Sequence, residues 1–260
     1  MPRQARIKSS TGIYHIMIRG INKEQIFNRA VHKNKVIEII KNIREDIEFD
    51  VIAYCVMDNH LHLLIKADED KLETLMKKLN IKYAMYYNKI EKRYGHVFQD
   101  RFKSEAVEND KYFLGALRYI HNNPVKAAIT KNIMDYSWSS AKDYINLHSE
   151  IITDKYLNEI SGLFTNKNEF VTFHSISDDN LYIDTKEEES ENTRNIVSSL
   201  IEKFVIEYGI SDQSQATIDK KEELAEKLIK LNIISYREIS ELCNISFYKV
   251  AGISKKLKAE

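Results

Sequence analysis

The sequence predicts an α+β fold. Two long stretches carry apolar residues at helical spacing, four short apolar stretches are too brief for helices, and together they run β-α-β-β-α-β. "GIYHIMIRG" is the first strand candidate, and "VHKNKVIEIIKNIRED" follows with Val31, Val36, Ile39, Ile40 and Ile43 on the stripe of a helix lying on a sheet. "DVIAYCVM" and "HLHLLIK", rich in β-branched, aromatic and aliphatic residues, read as two strands joined by a tight Asp58-Asn59 turn. "EDKLETLMKKLNIKYAMYYNKIEKRYG" places Leu72, Leu75, Met76, Leu79, Tyr83, Tyr86 and Ile90 on one stripe and stops at Gly95. An extended stretch over residues 97–107 completes the order of a split βαβ, ferredoxin-like sandwich.

A further helix starts near Asp110 in "DKYFLGALRYIHNNPVKAA". It is expected to stop near Asn122 or Asn123, because the residue before Pro124 is pushed out of helical geometry. "YSWSSAKDYI" reads as a short amphipathic helix packing Trp138 and Tyr144 on the domain. Residues 149–195 are expected to be an acidic linker with short elements, ending in the charged run "KEEESEN". Residues 196–260 return to helical patterning in "KKEELAEKLIKLN", "SYREISELCN" and "SFYKVAGISKKLK", with Ser235 and Ser246 as N-cap candidates. This is helix-turn-helix spacing, for which the expected role is DNA binding. The domain expectation is therefore 1–148, a linker over 149–195, and a helical region over 196–260.

Net charge is zero, with 39 basic and 39 acidic residues, but the charge is divided along the chain. Residues 1–149 carry 25 Lys and Arg against 18 Asp and Glu; residues 150–216 carry 5 against 14; residues 217–260 carry 9 against 7. A basic front and a mildly basic tail around an acidic middle suggest two surfaces that face a polyanion. Cys55 and Cys243 are far apart and fit no metal or redox spacing, so reduced thiols and a cytoplasmic location are expected. No stretch is long and apolar enough for a membrane span, and "MPRQARIKSS" lacks the apolar core of a signal peptide.

Chemistry is concentrated in "MDNHLHLLIK". On a strand His60 and His62 share a face roughly 7 Å apart, near enough to hold a divalent metal, while Leu61 and Leu63 face the other layer. On the helix from Asp110, Tyr119 and Asn123 are four apart and share a face if helical geometry lasts that far. A tyrosine hydroxyl, with an unperturbed pKa of about 10, is a poor nucleophile near neutral pH. It attacks phosphorus when a metal draws charge from the phosphate and the geometry is in line. Two imidazoles and an amide oxygen suit Mn²⁺ well and Mg²⁺ acceptably, leaving positions for phosphate oxygens. With 15 tyrosines in the chain, residue type alone does not separate this role from packing.

"TGIYHIMIRG", "YCVMDNHLHLL", "VFQDRFKS", "YFLGALRYIHNNPVKA" and "YSWSS" occur in an order and spacing that resemble the single-tyrosine HUH transposases, most of all their REP-associated branch. The resemblance covers about residues 1–145. It implies that His60 and His62 bind the metal with Asn123 as third ligand, and that Tyr119 cleaves single-stranded DNA, leaving a 5′-phosphotyrosine and a free 3′-hydroxyl. It also implies a hairpin-containing DNA partner and a monomer or homodimer. Asp58 departs from the proline that relatives often carry there, which alters the turn but removes no ligand.

His15 and His121 are expected near the site as packing or hydrogen-bonding groups. Arg3, Arg6, Lys8, Arg19, Lys23, Arg101 and Lys103 are candidates to neutralise DNA phosphates, and Lys249, Lys255 and Lys256 are candidates in the tail, which would contact duplex DNA. Two other readings compete: a catalytically silent DNA-binding regulator of repeats, and an unrelated metal hydrolase that activates water.

Overall fold

The computed structural model of the chain describes residues 7–176, 180 and 182–257. It begins with β1 (Ile13–Arg19), α1 (Ala30–Ile43), β2 (Asp50–Val56), β3 (His60–Lys66), α2 (Glu69–Ile90) and β4 (Lys103–Ala106), in the order the periodicities predict. The strands form one antiparallel sheet ordered β2-β3-β1-β4. β3 is therefore internal, and Leu61, Leu63, Leu64 and Ile65 are buried as an internal strand requires. The Asp58-Asn59 turn closes through the Met57 N–H donating to the His60 carbonyl at 2.8 Å. The fourth strand is shorter than the expected 97–107, and before it only an isolated Gly20–Phe98 pair touches the sheet.

α3 (Asp110–Lys126) packs on β2 and β3, and it does not stop before Pro124. Pro124 lies in the last turn, so the missing N–H costs the helix one bond near its end. Asn123 and Pro124 are both buried, and the Asn123 side-chain N–H₂ donates to the Tyr119 carbonyl at 3.0 Å. Packing thus overrides the local preference, and Tyr119 and Asn123 stay on one helical face.

Beyond α4 (Ala141–Asn146), the stretch expected as a linker contributes to the core. α5 (Asp154–Ser161) and α6 (Lys167–His174) bury Tyr156, Leu157, Ile160 and Phe170 in the same cluster as the sheet. Ahead of α5, the Thr153 N–H donates to the Val51 carbonyl at 3.0 Å. Glu150, Asp154, Glu159 and Glu169 are exposed, which is how a charged segment reads as solvated while half of it packs. α7 (Ile183–Tyr208) then runs as a helix through the "KEEESEN" run. The chain divides into two compact units, 1–184 and 185–260.

α6 is tied to α3 by a buried histidine pair. His121 Nδ1 meets His174 Nε2 at 2.8 Å, His121 Nε2 meets Ser140 Oγ at 2.8 Å, and His174 Nδ1 donates to the Phe170 carbonyl at 2.7 Å. Burial pushes His121 well below the ordinary histidine range and His174 down to about 4. Unfolded histidine titrates near about 6.5. The unfolded chain therefore binds more protons as pH falls from that value toward 4, and stability present above it is lost across the window. For His174 alone the expected loss is about 3 kcal/mol, read as a falling urea midpoint. His174→Phe should flatten that slope.

In the second unit, α8 (Ile218–Leu231), α9 (Tyr236–Cys243) and α10 (Phe247–Leu257) bury Leu224, Ala225, Leu228, Ile239, Cys243 and Val250 together. Ser235 caps α9 in a reciprocal box with Glu238, and the Ser246 hydroxyl accepts from the Lys249 N–H at 3.3 Å. Asn244 takes the left-handed conformation at φ 51° between α9 and α10. No helix among the described residues is long and apolar enough to cross a membrane.

Candidate active site

Period-two geometry puts His60 and His62 on one face of β3, with ring centroids 4.8 Å apart. Each imidazole is oriented through its other nitrogen. His60 Nδ1 lies 2.6 Å from Asn59 Oδ1, and His62 Nδ1 lies 3.0 Å from His15 Nε2 on the neighbouring β1. That arrangement leaves both Nε2 atoms buried without a hydrogen-bond partner of good geometry. Two such buried nitrogens on adjacent imidazoles could hold a metal ion. Burial, then the neighbouring His62 and Arg19, push His60 down to about 3, with Asp184 and Asn123 opposing. His60 therefore stays neutral, the form that ligates.

α3 brings Tyr119 beside this pair, its ring 5.7 Å from His62 and 6.1 Å from His15. Asn123, one turn on, is also buried, and its carboxamide acts on His60. The four residues singled out from spacing and the resemblance, His60, His62, Tyr119 and Asn123, are thus brought together. His15 has the hydrogen-bonding place expected of it. His121 faces His174 and Ser140 instead.

A residue that the sequence did not reveal completes the cluster. Asp184 accepts the Tyr119 hydroxyl on one carboxylate oxygen, and its other oxygen lies 3.4 Å from His62 Nε2. His60, His62 and Asp184 each offer a ligand atom within 4.8 Å of the others, a cluster that can hold a metal ion. Burial of Asp184 opposes its ionisation, but the hydrogen bond and electrostatic attraction of His62, then the hydrogen bond of the Tyr119 hydroxyl, outweigh it and hold the carboxyl below its usual range. Tyr182, two residues earlier, stacks on Tyr119 with centroids 4.3 Å apart. The one sequence signal for either residue is the apolar Leu181-Tyr182-Ile183 run breaking an acidic stretch.

Asp58 has a structural reason. Its carboxylate pairs with the buried Lys33 ammonium at 2.5 Å, so α1 anchors the turn that leads into the histidine strand. Lys33 also lies 4.8 Å from the Trp138 ring, whose indole N–H donates to Asn34; Trp138 packs.

The basic candidates scatter. Arg19 is buried opposite His60 in the β1–β3 register, and Lys23 is exposed near the same turn. Lys103 is half-buried on β4 opposite Met17, and Arg101 is exposed just before that strand. Lys8 pairs with Glu69 at 3.4 Å beyond the other end of β1, away from the histidines. Arg3 and Arg6 lie outside the described residues. In the second unit Lys249 pairs with Glu222, while Lys255 and Lys256 are exposed in the last turn of α10.

Comparison with known proteins bears on residues 8–123, which match the family profile described as "Transposase IS200 like". A Haemophilus influenzae protein named as a candidate REP-associated tyrosine transposase is 27% identical over 133 residues, 47% of this chain and 72% of that protein. The REP-associated tyrosine transposase of Escherichia coli K12 is 23% identical over 147 residues, 53% of this chain and 80% of that protein. A solved REP-associated tyrosine transposase bound to a REP hairpin matches 59% of this chain and 92% of its own, at 18% identity and a TM-score of 0.49. Residues 8–123, just under half of the chain, are thus similar to the IS200-like transposases over the segment that carries the sheet and α3.

Proposed function

We propose that the chain nicks single-stranded DNA beside a hairpin and transfers the strand through a 5′-phosphotyrosine on Tyr119, on a ferredoxin-like sandwich. The observation that carries this reading is the placement of a tyrosine hydroxyl beside two imidazoles whose buried Nε2 atoms make no hydrogen bond of good geometry and, with Asp184, form a cluster that could hold a metal ion. The Tyr119 oxygen attacks phosphorus, the bond from phosphorus to the 3′-oxygen breaks, and the phenolic proton is balanced by the hydroxyl formed on that 3′ end. His60 and His62, with the Asn123 carboxamide as third ligand, would hold Mg²⁺ or Mn²⁺. Such an ion polarises the phosphate and stabilises the charge that develops on it. Lys23, exposed near the turn into the histidine strand, is the basic candidate best placed to contact the strand, while Arg19 is buried at that end of β1; Arg101 and Lys103 extend the set along β4.

Incubating the chain with labelled hairpin oligonucleotides and Mn²⁺, then running a denaturing gel, tests the proposal. Protein covalently bound to a 5′ end is expected, and sequencing the adducts gives the target. A silent regulator would bind without adduct, and a metal hydrolase would cut without linkage.

α9 and α10, joined at the left-handed Asn244, are read as a helix-turn-helix that contacts duplex DNA. Replacing Lys255 and Lys256 by Ala in the full chain should weaken duplex binding and lower the slope of log affinity against log salt by about 2. Hairpin cleavage should stay unchanged. An unaltered slope in fluorescence anisotropy would make α10 a protein-contact element.

A further inference from the structure

α10 carries a surface that its own packing does not use. Val250 and Ser254 turn inward, while Phe247 and Tyr248 are 49% and 87% exposed in its first turn, and Gly252, Lys255 and Lys256 are exposed beyond them. Tyr248, Gly252 and Lys255 stand at i, i+4 and i+7, one face of a helix. The two rings adjoin, with centroids 6.2 Å apart and planes at 82°, and form one apolar patch in water of the kind that marks a contact site. Glycine weakens a helix interior, yet nothing packs within 4 Å of where a Cβ on Gly252 would stand, so the packing of this unit does not call for it. A bare helix backbone one turn from two exposed rings suits a partner that comes close. Charge selects that partner. Residues 247–257 hold three lysines and no acidic residue. Carboxylates on α8 and α9 are engaged within the unit, Glu222 with Lys249, Glu238 in the α9 cap and Glu241 with Arg237 at 3.6 Å. A cationic helix that opens on two aromatic rings matches a duplex, whose phosphates flank a major groove where the apolar group a base pair presents is the 5-methyl of thymine. In helix-turn-helix docking the first turn of the second helix meets the base edges, and Phe247 and Tyr248 occupy that turn.

We propose that α10 reads duplex sequence through thymine: Phe247 and Tyr248 pack on 5-methyl groups in the major groove, Gly252 lets the helix backbone come down to the groove, and Lys255 and Lys256 hold flanking phosphates. This rests on the reading of α9 and α10 as a duplex-contacting helix-turn-helix. It adds that the contact is sequence-specific, so the chain takes a duplex site chosen independently of Tyr119 and the histidines. A phenyl ring has no hydrogen-bonding atom, which makes methyl contact the discrimination open to Phe247.

Selecting duplexes from a random pool with the full chain, then measuring their binding by fluorescence anisotropy over a range of salt, tests it. The selected duplexes should share thymines. Exchanging one such thymine for uracil removes only its methyl group and should weaken binding about fourfold, the worth of one buried carbon. Tyr248→Ala and Phe247→Ala should each be indifferent to that exchange at one thymine, and both should keep the parent's slope of log affinity against log salt. Tyr248 is exposed, so its variant keeps the fold. Gly252→Ala should raise the melting temperature and yet bind the duplex more weakly, a pairing that a packing role would not produce. Equal binding of all duplexes by the parent chain overturns the readout and leaves the duplex contact standing. Unchanged affinity for the uracil duplexes, or parent-like binding by Gly252→Ala, overturns it as well. No duplex binding at all removes the helix-turn-helix reading with it, and α10 is then a protein-contact element.

Discussion

Tyr119→Phe should bind the same hairpin DNA and Mn²⁺ as the parent chain yet form no covalent adduct, a loss of at least about a thousandfold if this oxygen is the nucleophile. The substitution removes one atom. The ring keeps its stack on Tyr182 and its edge contact with His62. What the fold loses is the hydrogen bond to Asp184, leaving a buried carboxylate short of a donor at a cost of about 1 to 3 kcal/mol. That loss is readable as a lower melting temperature and is separable from chemistry, since DNA affinity by anisotropy should persist. A protein-linked 5′ end surviving in the variant would point to another tyrosine. Tyr112 on the same helix is the first to test, though burial and its hydrogen bond to Glu105 raise its pKa well above the ordinary tyrosine value, a poor start for a nucleophile. Cleavage without linkage would make water the nucleophile and favour the metal hydrolase.

How much of this site could be read from the sequence depends on how local each signal is. His60 and His62 were legible because a strand has period two, and "DVIAYCVM" beside them could hardly be anything but its partner strand. Tyr119 and Asn123 were legible as an i, i+4 pair, but the expected stop before Pro124 put their shared face in doubt. Burial of Asn123 and Pro124 keeps the helix going for reasons no local rule contains. Tyr182 and Asp184 were not legible. They reach Tyr119 by the tertiary path of the chain after α6, and the surrounding acidity reads as solvated linker. The helices that bring the chain there, α5 and α6, have eight residues each, too few for a stripe such as Tyr156, Leu157 and Ile160 to stand out. Sequence patterning and the resemblance thus singled out candidates held by regular elements and missed the groups brought in by topology.

The same distinction governs what should happen when the histidines are removed. His60→Ala and His62→Ala should each lower Mn²⁺ affinity by at least about a hundredfold, by analogy with the size of effects from even outer ligand partners, and EDTA should reproduce their loss of cleavage. The two will differ in the fold. His60 opens β3 and is half-buried, so its removal should leave the melting temperature nearly unchanged. His62 is fully buried between β1 and β2 and meets His15, so His62→Ala leaves a cavity and a buried His15 nitrogen short of its partner, costing about 2 to 4 kcal/mol. Metal affinity must therefore be measured directly, by the manganese electron-paramagnetic signal on chain shown to be folded. His15→Phe supplies the control that separates holding a ligand from being one. It keeps a ring on β1 but no longer accepts the Nδ1 proton of His62, so affinity should fall by about 10- to 100-fold while both ligands remain. Should Mn²⁺ bind all three variants as it binds the parent chain, the ion sits elsewhere and the buried Nε2 pair is packing alone.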